Sequence, residues 1–251
     1  MDVDAYLERI GAPRPAAPTL DALAGLALAH LYSVPFENLD IAAGRRLSVE
    51  LEAIYEKVVT RRRGGFCYEL NGLFAGLLRE LGYDVTLLAA EVPEPRDGGP
   101  RHDRAHLVLL VALDGPRLVD VGWGEAYRRP FALRAANEHA DPHLGTYRLE
   151  EQDGRWQVHE WQEGLEPRVA YRFDLTPYEL GDFGEACRWQ ETESPFFTRH
   201  RFCSIATPGG RTTLMDSRLI VSAAGRRTER EVDADEIPGL LAEHFGVVLQ
   251  V

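Results

Sequence analysis

The stretch Arg63-Gly64-Gly65-Phe66-Cys67-Tyr68-Glu69-Leu70-Asn71 constrains this chain more than any other. It joins a Gly-Gly loop to a strongly patterned segment and sets a cysteine at the junction. After Cys67 the apolar residues fall at Leu70, Phe74, Leu77, Leu78 and Leu81, with Leu73 beside them. That spacing predicts a helix with one wide buried face, stopped by Gly82. Cys67 then belongs in the first turn or just before it. There the unsatisfied N–H groups and the positive end of the helix dipole favour a thiolate. The two glycines let another chain or a substrate approach the backbone. Read alone, a single cysteine is more often a small buried hydrophobe than a nucleophile, so the rest of the chain has to decide.

Residues 1–82 read as helical. A short helix is expected over 2–10, and a second over roughly 20–31 with Thr19 as its N-cap. Val34–Asp40 reads as a loop with Pro35 fixing the backbone. Ser48 reads as a further N-cap, ahead of a helix carrying Ile54, Tyr55, Val58 and Val59 on one face. From Val85 the period changes. Val85–Val92 and Ala105–Leu113 are near-continuous apolar runs that suit buried strands, separated by a long Pro- and Gly-rich loop, Pro93–Arg104. Asp114-Gly115 reads as a hairpin turn into Arg117–Gly122. Strands are expected near Thr146–Glu151 and Trp156–Trp161, joined at Asp153-Gly154, and at Arg168–Leu175. Residues 176–200 read as irregular or helical. Further strands are expected at Arg201–Ala206, Arg211–Met215, Arg218–Val221 and Thr228–Val232, with turns at Pro208-Gly209-Gly210 and Ala224-Gly225. A helix over Asp235–Phe245, ended by Gly246, closes the chain.

Composition narrows the function. The chain has 251 residues, 45% hydrophobic and 27% charged, which is ordinary for a soluble globular protein. No apolar run approaches the ~20 residues of a membrane span, and the acidic start Met1-Asp2-Val3-Asp4 is no secretory signal. These features point to the cytoplasm. Cys67, Cys187 and Cys203 are too few and too scattered for a disulfide framework. No Cys-x-x-Cys or His-Glu-x-x-His occurs, so no metal is expected. A net charge of −12 argues against a nucleic-acid partner. An anionic cofactor would need a local basic patch, for which Arg61-Arg62-Arg63 is one candidate; a solvated helix end accounts for it equally well.

Two polar residues intrude into apolar strands. His106 opens the run His106–Val111, and Asp120 sits in Leu118-Val119-Asp120-Val121-Gly122. A buried carboxylate is costly unless partnered, and an imidazole on the next strand suits it. With the turn at Asp114-Gly115, paired positions sum to about 229. That sets Asp120 opposite residue 109, so an offset or a bulge is needed to bring it to His106. Cys67, His106 and Asp120 together supply a nucleophile, a base and an orienter.

These residues carry a resemblance. Arg63-Gly64-Gly65-Phe66-Cys67-Tyr68-Glu69-Leu70-Asn71, preceded by Val34-Pro35-Phe36-Glu37-Asn38-Leu39 and followed by His106 and Asp120-Val121-Gly122, closely resembles the arylamine N-acetyltransferases. The likeness spans essentially the whole chain, including Ser194-Pro195-Phe196 and the final helix. It implies an α+β fold with a cysteine-protease-like Cys-His-Asp core: a helical domain (1–83), a β-barrel (84–185) and an α/β lid (186–251). It also implies ping-pong acetyl transfer from acetyl-CoA, through acetyl-Cys67, to an arylamine or arylhydrazine. His106 would be the base, Asp120 its orienter, and the Cys67 N–H a first oxyanion donor. Glu37 and Arg63 would form an ion pair behind the nucleophile. Phe36 and Trp123 would line the acceptor pocket, though core packing also suits Trp123. Thr207, Gly209, Gly210 and Arg211 would offer backbone N–H groups and a cation to CoA phosphates, unless they form a plain hairpin turn.

Rival readings use the same residues. An amide synthase of the same fold would release or cyclise a polyketide chain. A papain- or transglutaminase-like thiol hydrolase would pass the acyl group to water, and a binding module would use the fold without chemistry. The motif strings weigh against the hydrolase, and the intact Cys67, His106 and Asp120 against the binding module. The acceptor amine and the preferred acyl donor stay open, and so does a homo-oligomer.

Overall fold

Capping residues start the first helices where the sequence predicts them. In the computed structural model, which describes residues 1–93, 102–124, 127–141, 145–161, 166–223 and 225–249, Asp2 accepts the Ala5 N–H at the head of α1 (Val3–Ile10). Thr19 does the same for Ala22 at the head of α2 (Leu20–Ser33). Residues 34–40 are not simply a loop. They form a two-residue strand, β1 (Phe36–Glu37), and one helical turn, α3 (Leu39–Ala42). The strand forms because its partner is Cys203-Ser204, far along the chain, which no local pattern reveals. Ser48 does not cap a helix; it accepts the Glu50 N–H, and α4 (Leu51–Tyr55) starts later. The chain then widens into a π-helical turn, Glu56–Thr60, in which the Arg61 N–H reaches back five residues to Glu56 O. This turn buries Lys57 beside Val58 and Val59. Helix α5 (Cys67–Glu80) follows and ends before Gly82, which sits at φ +87°.

The middle of the chain is an eight-stranded antiparallel sheet in the order β5-β4-β3-β2-β9-β8-β7-β6. Its strands are β2 (Asp84–Glu91), β3 (His106–Ala112), β4 (Pro116–Val119), β5 (Phe131–Ala132), β6 (Glu138–Asp141), β7 (Gly145–Gln152), β8 (Arg155–Trp161) and β9 (Arg168–Tyr178). The sheet curls into a nearly closed barrel: Phe131 on one edge strand stacks against His139 on the other, centroids 6.2 Å apart. Leu88, Val108, Leu118, Tyr147, Leu149 and Phe173 fill its interior. The other face of β2–β4, with Leu87, Leu107, Leu109, Val111 and Val119, packs into one core with α5. Strands buried on both faces read as continuous apolar runs, as these do. Strands β5 and β6 are not visible in the sequence, being short and, in β6 (Glu138-His139-Ala140-Asp141), without an apolar stripe. Of the predicted loop at Pro93–Arg104, Gly98-Gly99-Pro100 lies outside the described residues, as does Ala224 of the later turn.

The β3–β4 register departs from expectation by one residue. Leu109 faces Val119 and Ala112 faces Pro116. The turn spends three residues, Leu113, Asp114 and Gly115, the last two at φ +44° and +94°. A one-residue change moves every side chain of a strand to the opposite face, and it decides the geometry of the site.

The C-terminal part carries α6 (Gly184–Thr192), α7 (Pro195–Arg199) and a five-stranded antiparallel sheet, β1-β10-β11-β12-β13. Its strands after β1 are β10 (Phe202–Thr207), β11 (Gly210–Met215), β12 (Arg218–Ala223) and β13 (Arg226–Glu231). Helix α8 (Ile237–Phe245) covers one face through Leu240, Leu241 and Phe245, packed with Cys203, Ile205 and Leu214. Gly246 ends it at φ +65°. The fold is thus α+β, and no helix among the described residues is long and apolar enough to cross a membrane.

One core residue makes stability depend on pH. His30 on α2 is fully buried; its Nδ1 meets Tyr6 Oη at 2.9 Å, and its ring packs on Phe74. Burial, with Arg9 adding, pushes its pKa down to about 3. The folded state therefore resists a proton that the unfolded chain accepts near pH 6.5. Stability is fully present above pH 6.5 and falls by about 1.4 kcal/mol per pH unit between there and pH 3. His30→Phe should flatten that acid limb in urea titrations run across pH 4–7. An unchanged slope would show that His30 is not its source.

Candidate active site

Helix α5, which begins at Cys67, is fastened at its head by a buried ion network. The Phe66 N–H donates to Glu69 Oε2 (2.8 Å), and Lys57 Nζ reaches the same oxygen at 2.8 Å and Asp40 Oδ2 at 2.7 Å. Arg63 joins in from the Gly-Gly loop. Both its Nε and one terminal nitrogen donate to Glu37 Oε1, at 3.1 and 2.7 Å, and Asp40 Oδ1 lies at 3.2 Å. Glu37 Oε2 accepts the Leu39 N–H at 2.7 Å. The predicted Glu37–Arg63 pair is therefore part of a five-residue cluster. Arg63 accordingly does not belong to a basic patch for an anion. The loop glycines admit the protein's own backbone: Gly64 abuts Pro35 and Glu37, and Gly65 exchanges backbone hydrogen bonds with Pro35 and Glu37.

Cys67 is the first residue of α5, where its N–H has no acceptor within the helix. Burial pushes the Cys67 thiol well up, and Cys187 and Asp120 add to the rise. Backbone hydrogen bonds from Leu107 and Tyr68 oppose it. Burial thus works against the thiolate that the helix N-terminus favours. Ionising this thiol calls for a base within reach.

His106 and Asp120 form a buried pair beside the helix that begins at Cys67. His106 Nε2 lies 2.7 Å from Asp120 Oδ2, both groups buried. Extending the observed register past Val119 sets Asp120 opposite Val108, so His106 is its diagonal neighbour on one face. The three-residue turn achieves this without a bulge. Asp120 Oδ1 accepts the Gly122 N–H and Asn71 Nδ2, each at 2.9 Å. The Tyr171 hydroxyl on β9 meets that of Tyr127 at 3.1 Å; burial pushes its pKa well up, and the Tyr127 and Asp120 charges add to the rise.

Asn71, one helical turn after Cys67, joins the two halves. Its Nδ2 also donates to Leu107 O (2.7 Å), and its Oδ1 accepts the Val121 N–H (2.9 Å). Gly122 lets the helix come this close: a Cβ there would sit 2.8 Å from Asn71 Nδ2 and 2.9 Å from Cys67 Cα. Asn71 stands in the sequence motif, but its role was not read there. A fully buried amide on the face of an apolar helix, four residues from a cysteine, is the signal that was available.

The remaining predicted residues fall around this centre. Trp123 packs edge-on to His106 at 5.0 Å and to Tyr171 at 5.2 Å. Phe36 stacks with Phe66 at 5.2 Å and lies against Gly124, so the two predicted acceptor-lining residues meet at the loop after Asp120. Thr207 pairs with Gly210, making residues 207–210 a hairpin turn. Arg211 is buried and donates to Ser204 Oγ at 2.9 Å. Among the described residues no group of three or more His, Cys, Asp or Glu could hold a metal ion.

Comparisons with known proteins agree with this geometry. The family model described as N-acetyltransferase matches residues 19–251. An arylamine N-acetyltransferase / N-hydroxyarylamine O-acetyltransferase of Salmonella typhimurium is 33% identical over 97% of this chain and 88% of its own. Human arylamine N-acetyltransferase 1 is 33% identical over 84% of this chain and 79% of its own. The solved Salmonella typhimurium enzyme superposes with a TM-score of 0.91 at 31% identity, covering 99% of this chain and 92% of that one. The Mycobacterium marinum arylamine N-acetyltransferase in complex with CoA gives 0.89 at 31% identity, over 98% and 93%. With its α+β architecture and its buried His106–Asp120 pair behind Cys67, this chain belongs to the N-acetyltransferase family.

Proposed function

We propose that the protein transfers an acetyl group from acetyl-CoA to the nitrogen of an arylamine or arylhydrazine through an acetyl-Cys67 intermediate. The observation that carries this reading is the Asp120–His106 hydrogen bond, joined by Asn71 to the helix that begins at Cys67. With Asp120 holding Nε2–H, the His106 Nδ1 is the unprotonated nitrogen and takes the thiol proton. Sγ then attacks the thioester carbonyl, and the Cys67 N–H stands at the developing oxyanion. The tetrahedral intermediate expels the CoA thiolate, which recovers the proton from His106. In the second half-reaction the amine attacks acetyl-Cys67, His106 takes the amine proton, and the cysteine leaves as thiolate. Thiol ester for thiol ester is nearly isoenergetic, so a cysteine suits the first step.

Phe36 and Trp123 form flat walls for an aromatic acceptor. The Trp123 indole N–H is buried without a hydrogen-bond partner among the described residues, so an acceptor carrying an oxygen or a ring nitrogen there would satisfy it. The Thr207–Arg211 turn is the contact for the donor's phosphates. Backbone N–H groups from Gly209 and Gly210 suit anions, and Arg211 supplies positive charge beneath. The three cysteines are free, which fits a reducing, cytoplasmic setting.

Incubation with acetyl-CoA alone, followed by intact-mass measurement, tests the reading. One added acetyl group on the wild type and none on Cys67→Ala is the expected result. No adduct, with Cys67 still alkylated by iodoacetamide, would move the reading to a carrier-linked amide synthase. An inert Cys67 would overturn the catalytic reading altogether.

A further inference from the structure

Arg128 stands outside the triad, yet its buried guanidinium has partners in every part of the fold. One terminal nitrogen donates to Tyr32 Oη at the end of α2 (3.0 Å) and to Pro208 O (3.2 Å). The other donates to Gly210 O at 2.7 Å. Nε lies 3.6 Å from Asp141 Oδ2 on β6, and the cation sits over the Tyr32 ring. A planar fork engaged by carbonyls fixes where those carbonyls stand, and two of them belong to the hairpin turn Thr207–Gly210. In a trans peptide the C=O and N–H point opposite ways. With Pro208 O turned to Arg128, the Gly209 N–H faces away from the clasp. Gly210 adds rigidity, since a Cβ there would run into the Ser222 backbone.

The same segment is anchored at the triad. Tyr127, the preceding residue, bonds Tyr171, whose ring packs on His106 at 5.2 Å. We propose that Arg128 is a positioning residue for the acyl donor, holding the Thr207–Gly210 turn at a fixed place relative to Cys67, His106 and Asp120. This rests on the reading of that turn as the contact for CoA phosphates. The donor's phosphates and its thioester are linked covalently, so the distance between turn and triad decides whether both ends bind together.

The test compares two acetyl donors: acetyl-CoA, and 4-nitrophenyl acetate, which has no phosphates. Arg128→Met should raise KM for acetyl-CoA about tenfold, as expected for losing one or two well-placed hydrogen bonds. Its kcat/KM with 4-nitrophenyl acetate should stay within about twofold of wild type. Arg128→Lys keeps the charge but not the fork and should fall between; it carries the test if the methionine variant does not fold. Gly209→Asp is the control for the turn. A Cβ there meets nothing within 4 Å, and its carboxylate should repel phosphates, raising KM for acetyl-CoA alone. Equal losses on both donors in the Arg128 variants, or no loss on either, would overturn the inference. If Gly209→Asp acts and the Arg128 variants do not, the turn reading stands and only the Arg128 role falls. If Gly209→Asp has no effect, the turn reading falls and takes this inference with it.

Discussion

Asp120→Asn should slow formation of the acetyl-enzyme by about four orders of magnitude while leaving the fold intact. Asp120 Oδ1 accepts from Gly122 N–H and Asn71 Nδ2, so the amide oxygen of an asparagine takes that side. Its NH2 then faces His106 Nε2, which must become an acceptor. The proton moves to Nδ1, the nitrogen that has to receive the Cys67 proton. A thiol already pushed up by burial is left without its base. Quenched-flow mass measurement of acetyl-Cys67 would read the rate, and thermal unfolding would confirm the fold. A variant within about tenfold of wild type, an interval of 1.4 kcal/mol in barrier height, would mean that Asp120 does not set the tautomer. The rate should recover at higher pH, where the thiol ionises unaided.

Arg63→Met should cost about 3–5 kcal/mol of stability, the usual result of removing one partner from a buried charge cluster. Two cations, Lys57 and Arg63, offset three carboxylates: Glu37, Asp40 and Glu69. Without Arg63, a single ammonium faces all three, and Glu37 Oε1 loses both of its short contacts. For a domain whose total stability is of order 5–15 kcal/mol, such a loss is a large fraction. Urea unfolding would measure it. A change below about 1 kcal/mol, the scale of an exposed pair, would show that the cluster is screened by solvent. The loss should shrink at low pH, where protonated carboxyls no longer repel one another.

Helix α5 was legible because Leu70, Phe74, Leu77 and Leu78 keep a strict helical period on a buried face. Apart from the short strands β5 and β6, the alternation of strands and turns in the barrel was equally plain, down to the turn at Asp153-Gly154, both at positive φ. The His106–Asp120 contact was only half legible. Residue types and neighbouring strands were evident, but the register hung on whether Leu113 belonged to the strand or to the turn. Lys57 was hidden for another reason. A lysine next to Glu56 in a helix reads as solvent-facing, and the π-helical turn that buries it has no sequence signature. Arg128, Tyr127 and Tyr171 were illegible because their partners come from Tyr32, Pro208, Gly210 and His106, and long-range company leaves no local trace. Asn71 lies in plain view inside the Arg63–Asn71 motif, and only the distances reveal what its amide joins.

The pairing of β1 with β10 bears on how this chain comes off the ribosome. Asn38, just beyond β1, accepts the Phe202 N–H and donates to His200 O, closing a loop of 164 positions. Such closures come late, because their entropy is lost before their contacts form. Until the last third of the polypeptide has emerged, the edge carrying Phe36 and Glu37 has no neighbouring strand. The cradle of Cys67 is among the first segments synthesised and among the last to be completed. Nascent or truncated chains should therefore carry Cys67 without a finished pocket around it, and acyl transfer should switch on only once synthesis has passed the C-terminal sheet.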